Sequence, residues 1–141
     1  MEKEAIISAL QKFAHSFDNK DWKQMKTCLH NEIWIDYSSF RNTKPTFISR
    51  AKYIYQRKIG LKNLRTKHLL KNFRIQRNQG QVNCSCHFVI KRFKGETNAY
   101  YHSYGAYNFN LTLFDGRWKI TKIVQTISRN EGDESIHGAF K

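Results

Sequence analysis

The feature that most restricts the fold of this chain is a change of hydrophobic period at His68. Residues 2–17 place apolar side chains at helical spacing, whereas after His68 apolar residues recur at every second position. A two-residue period is typical of strands that bury one face. Turn signals divide this second half at Asn78-Gln79-Gly80, Lys94-Gly95 and Asp115-Gly116. We therefore predict four consecutive antiparallel strands over residues 69–77, 81–93, 98–114 and 117–127, with a bulge at Gly105 bending the third.

The first half of the chain predicts three helices and one strand. Residues 2–17 form an amphipathic helix, and a short second helix carries Trp22 and is capped by Asn19 or Asp21. Residues 32–37 alternate as a strand. Pro45 is suited to begin a third helix, which would carry Phe47 and end near Gly60.

This order of elements indicates an α+β fold with helices packed on one face of a strongly curved, mainly antiparallel sheet. The 141 residues suffice for one domain, which we assign to residues 1–128. Residues 129–141 are predicted to be a polar tail, with residues 136–140 as a possible flap over a pocket. A curved sheet closed by helices leaves a concave cavity, which is the default place for a ligand.

The charge of the chain is strongly basic and unevenly distributed. The formal net charge is +14, and residues 41–95 contain no Asp or Glu. A basic face of this kind can attract nucleic acid. Because the Lys and Arg residues are dispersed among apolar ones, we favour a solvated basic surface and keep nucleic-acid binding as the alternative.

The three cysteines, Cys28, Cys84 and Cys86, form no disulfide framework, which favours a reducing compartment. His87 would lie on the strand face opposite Cys84 and Cys86, so we expect no metal site there. The sequence contains no apolar run of about 20 residues, the length that would cross a membrane, and no signal-peptide pattern. A cytoplasmic protein is therefore expected.

Asp18, Tyr37 and His68 are the best candidates for chemistry. An aspartate beside a histidine orients the ring and makes it a better base near neutral pH. A tyrosine hydroxyl can donate to a developing enolate oxygen. Together these groups suit abstraction of a proton next to a carbonyl. The alternative is that His68 is a satisfied structural group and Tyr37 a phenol at the edge of the core.

The stretches FDNKDWKQMKTCLHNEIWIDYSSF, RTKHLL and FDGRWKI resemble the scytalone dehydratase branch of the SnoaL-like, NTF2-like superfamily. The resemblance covers residues 13–123. It implies a cone-shaped α+β barrel with a deep pocket, chemistry without a cofactor or metal, a small-molecule substrate and a homodimer or homotrimer.

The resemblance also implies roles for individual residues. The family's acid-base histidine and its aspartate fall at His68 and Asp18, and one of two family tyrosines falls at Tyr37. The other tyrosine falls at Phe17, a second histidine at Ile90, and the pocket serine and asparagine near Gly105 and Tyr107. The expected substrate-binding residues are Phe17, Trp22, Ile90 and Tyr107.

These observations lead to two main hypotheses. In the first, the protein is a dehydratase, isomerase or cyclase in which His68, held by Asp18, removes a proton alpha to a carbonyl. In the second, the same pocket binds a small ligand without turnover, because Phe17 and Ile90 lack the groups that the family uses.

Overall fold

The computed structural model describes residues 2–137, which form three helices, six strands and a final 3-10 turn. The elements are α1 Glu2–Asn19, α2 Trp22–Cys28, β1 Leu29–Asp36, β2 Thr46–Ser49, α3 Arg50–Gly60, β3 Leu64–Asn78, β4 Gln81–Lys94, β5 Tyr101–Phe114, β6 Arg117–Gly132 and the turn Glu134–Ile136.

The six strands form one mixed sheet in the order β2-β1-β6-β5-β4-β3. Only β1 and β6 run parallel, and the other neighbours are antiparallel. The sheet is curled, and the helices cover its concave face. The predicted α+β architecture, with three helices in the first half and a mainly antiparallel sheet, is confirmed.

The core lies between α1 and the concave face of the sheet. Ile6, Leu10, Phe13 and Phe17 form the buried stripe of α1, as their helical spacing predicts. The sheet contributes the inward positions of β4, which are Val82, Cys84, Cys86, Phe88 and Ile90. On β5 the inward face carries Tyr101, Ser103 and Tyr107.

The prediction that a helix begins at Pro45 is wrong. Residues after Pro45 form β2, which pairs with β1, and α3 begins at Arg50 with Ser49 as its N-cap. The Ser49 hydroxyl accepts a hydrogen bond from the amide of Lys52 at 3.1 Å, so a cap and not the proline starts this helix. Phe47 is consequently a strand residue and 62% exposed.

Two strands are longer than the sequence indicates. Strand β3 begins at Leu64, so His68 lies within the strand and pairs with Ile90 of β4. Strand β6 continues to Gly132, five residues past the predicted end at Ile127, because it keeps pairing with β5 as far as Tyr101. Of the predicted flap, Ile136 is buried, and residues 138–140 lie outside the described part of the chain.

All three cysteines are free and buried. Within residues 2–137, no group of His, Cys, Asp or Glu side chains is arranged to hold a metal ion. None of the helices in this part of the chain has the length and apolar character needed to span a bilayer.

Candidate functional site

A cavity of about 390 Å³ opens between α1, α3 and the concave face of the sheet. Most of its wall is apolar or aromatic, but it includes three arginines and two histidines. The lining residues are Phe17, Tyr37, Phe40, Arg41, Tyr55, Gln56, Arg57, Ile59, Gly60, Leu61, His68, Ile90, Arg92, Tyr107, Gln125 and His137.

Asp18 and His68 meet at one wall of this cavity. Asp18 lies in the last turn of α1, where the helix dipole disfavours a carboxylate. Four contacts offset this cost: the His68 Nδ1 lies 2.6 Å from Oδ1, the His68 amide donates to Oδ2 at 2.8 Å and to Oδ1 at 3.1 Å, and the Thr66 hydroxyl donates to Oδ1 at 2.9 Å. The carboxylate thus fixes both the backbone and the ring of His68.

The ring of His68 is held in one orientation and is neutral near pH 7. Phe17 stacks on it, with ring centroids 4.6 Å apart and an interplanar angle of 26°. Burial lowers the pKa of His68 below its ordinary value, and the hydrogen bond to Asp18 only partly offsets this effect. Because Asp18 accepts a proton from Nδ1, the lone pair of a neutral ring is on Nε2, the nitrogen away from Asp18.

Tyr37 forms part of a second polar group in the cavity. Its hydroxyl lies 2.6 Å from the hydroxyl of Tyr53, a fully buried residue of α3. The guanidinium of Arg57 lies over both rings, 4.2 Å from the Tyr53 centroid and 4.9 Å from that of Tyr37. Burial raises the pKa of Tyr37 well above its usual value, so the phenol remains a neutral hydrogen-bond donor at physiological pH.

The sheet supplies the remaining wall of the cavity. Ile90 lies opposite His68 on the neighbouring strand, and Tyr107 packs against Phe88 with ring centroids 4.7 Å apart. Gln125 of β6 donates from Nε2 to the Tyr107 hydroxyl at 3.1 Å. The residue at position 90 therefore contributes apolar surface beside the histidine and no proton-transfer group.

The structure brings most of the sequence-predicted site residues together. Phe17, Tyr37, His68, Ile90 and Tyr107 line the cavity, and Asp18 lies behind His68. Trp22 does not line the cavity: it is the first residue of α2 and packs half-buried against the core.

Sequence reasoning missed the three arginines of the cavity, Arg41, Arg57 and Arg92. For Arg92 a signal was present, because it continues the inward series of β4 two positions after Ile90. Arg57 follows the buried Tyr53 by four positions on the inward face of α3.

Folding stability should decrease in acid because the buried histidines resist protonation. Burial and the three cavity arginines lower the pKa of His137 to about 3. An unfolded chain binds this proton near pH 6.5, so the unfolded state binds more protons between about pH 6.5 and pH 3. Well below pH 6.5, each such histidine should reduce the free energy of unfolding by up to about 1.4 kcal/mol per pH unit. Urea denaturation at pH 7 and pH 5 measures this loss.

The variant His137→Gln removes one titrating group and should reduce the loss of stability between pH 7 and pH 5. Replacement of the exposed His87 with glutamine should leave the loss unchanged. An identical pH dependence for His137→Gln and the unmodified protein would contradict this prediction.

Comparison with known proteins gives the family and the fold. The family model described as "SnoaL-like domain" matches residues 1–124. Among curated proteins, none matches the sequence.

Solved structures similar to this chain include the Kfla4162 protein from Kribbella flavida, with a TM-score of 0.88, 15% identity and coverage of 99% of this chain and 97% of that one. A candidate scytalone dehydratase from Novosphingobium aromaticivorans has a TM-score of 0.83 at 15% identity, covering 94% and 88%. A type 2 hexachlorocyclohexane dehydrochlorinase, LinA, has a TM-score of 0.79 at 14% identity, covering 96% and 91%. At these identities the likeness concerns the fold.

Proposed function

The chain belongs to the SnoaL-like domain family, and on that basis we propose that it is an enzyme that abstracts a proton alpha to a carbonyl of a small molecule. The observation that carries this proposal is the Asp18–His68 pair at the wall of a cavity, in which His68 is buried and Asp18 is partly buried. A neutral histidine whose second nitrogen is held by a carboxylate is a general base suited to neutral pH.

The reaction begins when the Nε2 lone pair of His68 takes the α-proton. The electron pair of the broken C–H bond moves to the carbonyl oxygen and gives an enolate, and Asp18 stabilises the imidazolium that forms. The Tyr37 hydroxyl donates to the enolate oxygen, directly or through water. Return of the proton from His68 to another carbon isomerises the substrate. In a dehydration, the enolate re-forms its carbonyl and makes a C=C bond as the C–O bond at the β-carbon breaks, and the leaving hydroxyl takes the proton from His68 and departs as water. In a cyclisation, the enolate carbon bonds to a second carbonyl carbon, and the alkoxide that results takes the proton from His68.

Hydrogen exchange tests this proposal with simple ketones in place of the physiological substrate. Cyclic and aromatic ketones, and any ligand extracted from the purified protein, are incubated with the protein in D₂O. Mass spectrometry then measures deuterium at the α-carbon. The unmodified protein should catalyse exchange faster than an equal concentration of the His68→Ala variant, and equal rates would contradict the proposal.

Removal of the Tyr37 hydroxyl should slow the reaction less than loss of the base. Tyr37→Phe is expected to lower the exchange rate by up to about 10²-fold, the lower end of the range for one oxyanion donor. The effect is limited because the Tyr53 hydroxyl and Arg57 remain nearby. The matched control is Tyr104→Phe, which removes an outward hydroxyl bound to Glu131. A Tyr37→Phe rate equal to that of this control would argue against a donor role.

Ligand binding without turnover is the second candidate function. It is favoured by Ile90 and Phe17, which surround His68 with apolar surface instead of further proton-transfer groups. A tight ligand that co-purifies with the protein and shows no deuterium exchange would support it. Assembly as a homodimer or homotrimer and a cytoplasmic location stay predictions, and nucleic-acid binding by residues 41–95 stays the less favoured alternative.

A further inference from the structure

We propose that the cavity binds the carboxylate group of a small and otherwise apolar molecule, with Arg57 and Arg41 as its partners. That this molecule is the substrate rests on the proposed function. The carboxylate site itself does not rest on it, and binding can be measured without turnover.

The first observation is an excess of buried positive charge. Arg57 is 8% exposed and Arg92 is 3% exposed, and Arg41 lies in the same wall. No Asp or Glu is among the described residues that line the cavity. Burying a guanidinium without an anion is costly, and neighbouring cations add repulsion. A bound anion would relieve both costs.

The second observation is that two of these arginines have hydrogen-bond donors without an acceptor. Within residues 2–137, Nη2 of Arg57 and Nε of Arg41 are buried and have no partner. Arg92 differs, because its Nη1 donates to the Ser103 hydroxyl at 2.8 Å and to the Tyr101 carbonyl at 3.4 Å. Arg92 is therefore tied to the sheet, while Arg57 and Arg41 keep donors for a ligand.

Aromatic rings determine which side of each guanidinium a ligand can reach. Tyr53 and Tyr37 cover the face of Arg57 at 4.2 and 4.9 Å, and Arg41 lies 5.4 Å from the Tyr37 centroid. Because rings lie over these guanidinium groups, a ligand meets them at the edges, where Nη2 of Arg57 and Nε of Arg41 have no partner. A planar carboxylate has two oxygens and can accept one hydrogen bond from each arginine.

The surroundings favour a singly charged carboxylate over a phosphate. The cavity is lined by residues 55–57 and 59–61 at the C-terminal end of α3, where the helix dipole is negative and opposes a doubly charged anion. The rest of the wall is mainly apolar, with Phe17, Leu61 and Ile90. The ligand we infer therefore has one carboxylate on an alicyclic or aromatic body.

Calorimetric titration with matched pairs of probes tests the site. Benzoate and cyclohexanecarboxylate are compared with their neutral amides, which keep the shape and lose the charge. Each acid should bind at least about tenfold more tightly than its amide, as expected for a charged hydrogen bond made away from water. Arg57→Gln and Arg41→Gln should each weaken acid binding by about tenfold and change amide binding little.

The control variant is Arg129→Gln, which removes an exposed arginine that stacks on Tyr104 outside the cavity. It makes the same change in net charge and should leave binding unchanged. Circular dichroism checks folding, and Arg41→Gln keeps the test valid if the more deeply buried Arg57 variant does not fold. The proposal is overturned if acids and amides bind equally, if neither acid binds, if inorganic phosphate binds more tightly than both acids, or if Arg129→Gln weakens acid binding as much as Arg41→Gln.

The two proposals fail in different ways. If the unmodified protein catalyses no α-hydrogen exchange but the acids still bind, also to His68→Ala, the carboxylate site is supported and the proposed enzymatic function is contradicted. Exchange that depends on His68, together with acids and amides that bind equally, would support the enzyme and remove the carboxylate site.

Discussion

Replacing His68 with alanine is expected to lower the rate of α-hydrogen exchange by about 10²–10⁴-fold, the usual contribution of a positioned acid-base group. The apolar neighbours Phe17 and Ile90 cannot act as a base in its place, and Asp18, which holds the ring at Nδ1, is not among the residues that line the cavity. Exchange into a substrate in D₂O, followed by mass spectrometry, measures the loss. A rate within a few-fold of the unmodified protein would remove the proposed mechanism.

Asp18→Asn is the companion variant and should lose activity over the same range. In the unmodified protein, Oδ1 accepts from His68 Nδ1 and Oδ2 accepts from the His68 amide. The amide needs an acceptor, so the asparagine oxygen should take the Oδ2 position and its NH₂ group should face Nδ1. The ring would then carry its proton on Nε2, where the base is needed. The NMR signature of the His68 tautomer separates this effect from unfolding.

The period of the sequence was sufficient to predict most of the fold. The apolar residues from Ile6 to Phe17 recur at the period of a helix, and those from Val82 to Ile90 at the period of a strand. In the structure both sets are buried, because each period follows from the backbone geometry of a single element. The juxtaposition of Asp18 with His68 came from the resemblance and from an awkwardly placed carboxylate. No period relates residues that are fifty positions apart.

Register shifts explain part of what the sequence did not predict. Asn110 of β5 pairs with Lys122 of β6, and Leu111 of β5 pairs with Ile120 of β6. Thr121 is therefore an extra residue in β6. A two-residue count from the buried Ile120 would place Val124 on the inward face, but the bulge exchanges the two faces of the strand and Ile123 is buried instead. The same shift places Gln125 in the cavity wall. A strict two-residue count across a bulge assigns the wrong face to every later residue.

Gly105→Ala is expected to destabilise the fold by about 3 kcal/mol or more, because the added methyl group meets backbone. A Cβ at Gly105 would lie 2.0 Å from the carbonyl oxygen of Thr126 and 3.0 Å from the ring of Phe88. The register of β5 and β6 shifts here, because Tyr104 pairs with Arg129 and Gly105 with Ile127. The extra residue is therefore Ser128 of β6, and the prediction that Gly105 itself forms the bulge is wrong. Urea denaturation followed by circular dichroism measures the change.

The matched control is Gly60→Ala, at the last residue of α3, where an added Cβ has no atom within 4 Å. That variant should be neutral or gain about 0.4–1 kcal/mol, because alanine restricts the unfolded chain. Similar unfolding midpoints for the two variants would contradict this prediction, because they would show that β5 and β6 can move apart at Gly105 without loss of folding free energy.

A methyl group at position 105 should also disturb the cavity, because it would press on Phe88, which packs on Tyr107. The glycine would then set both the bend of the sheet and the position of a cavity wall, which makes it a structural requirement of the site.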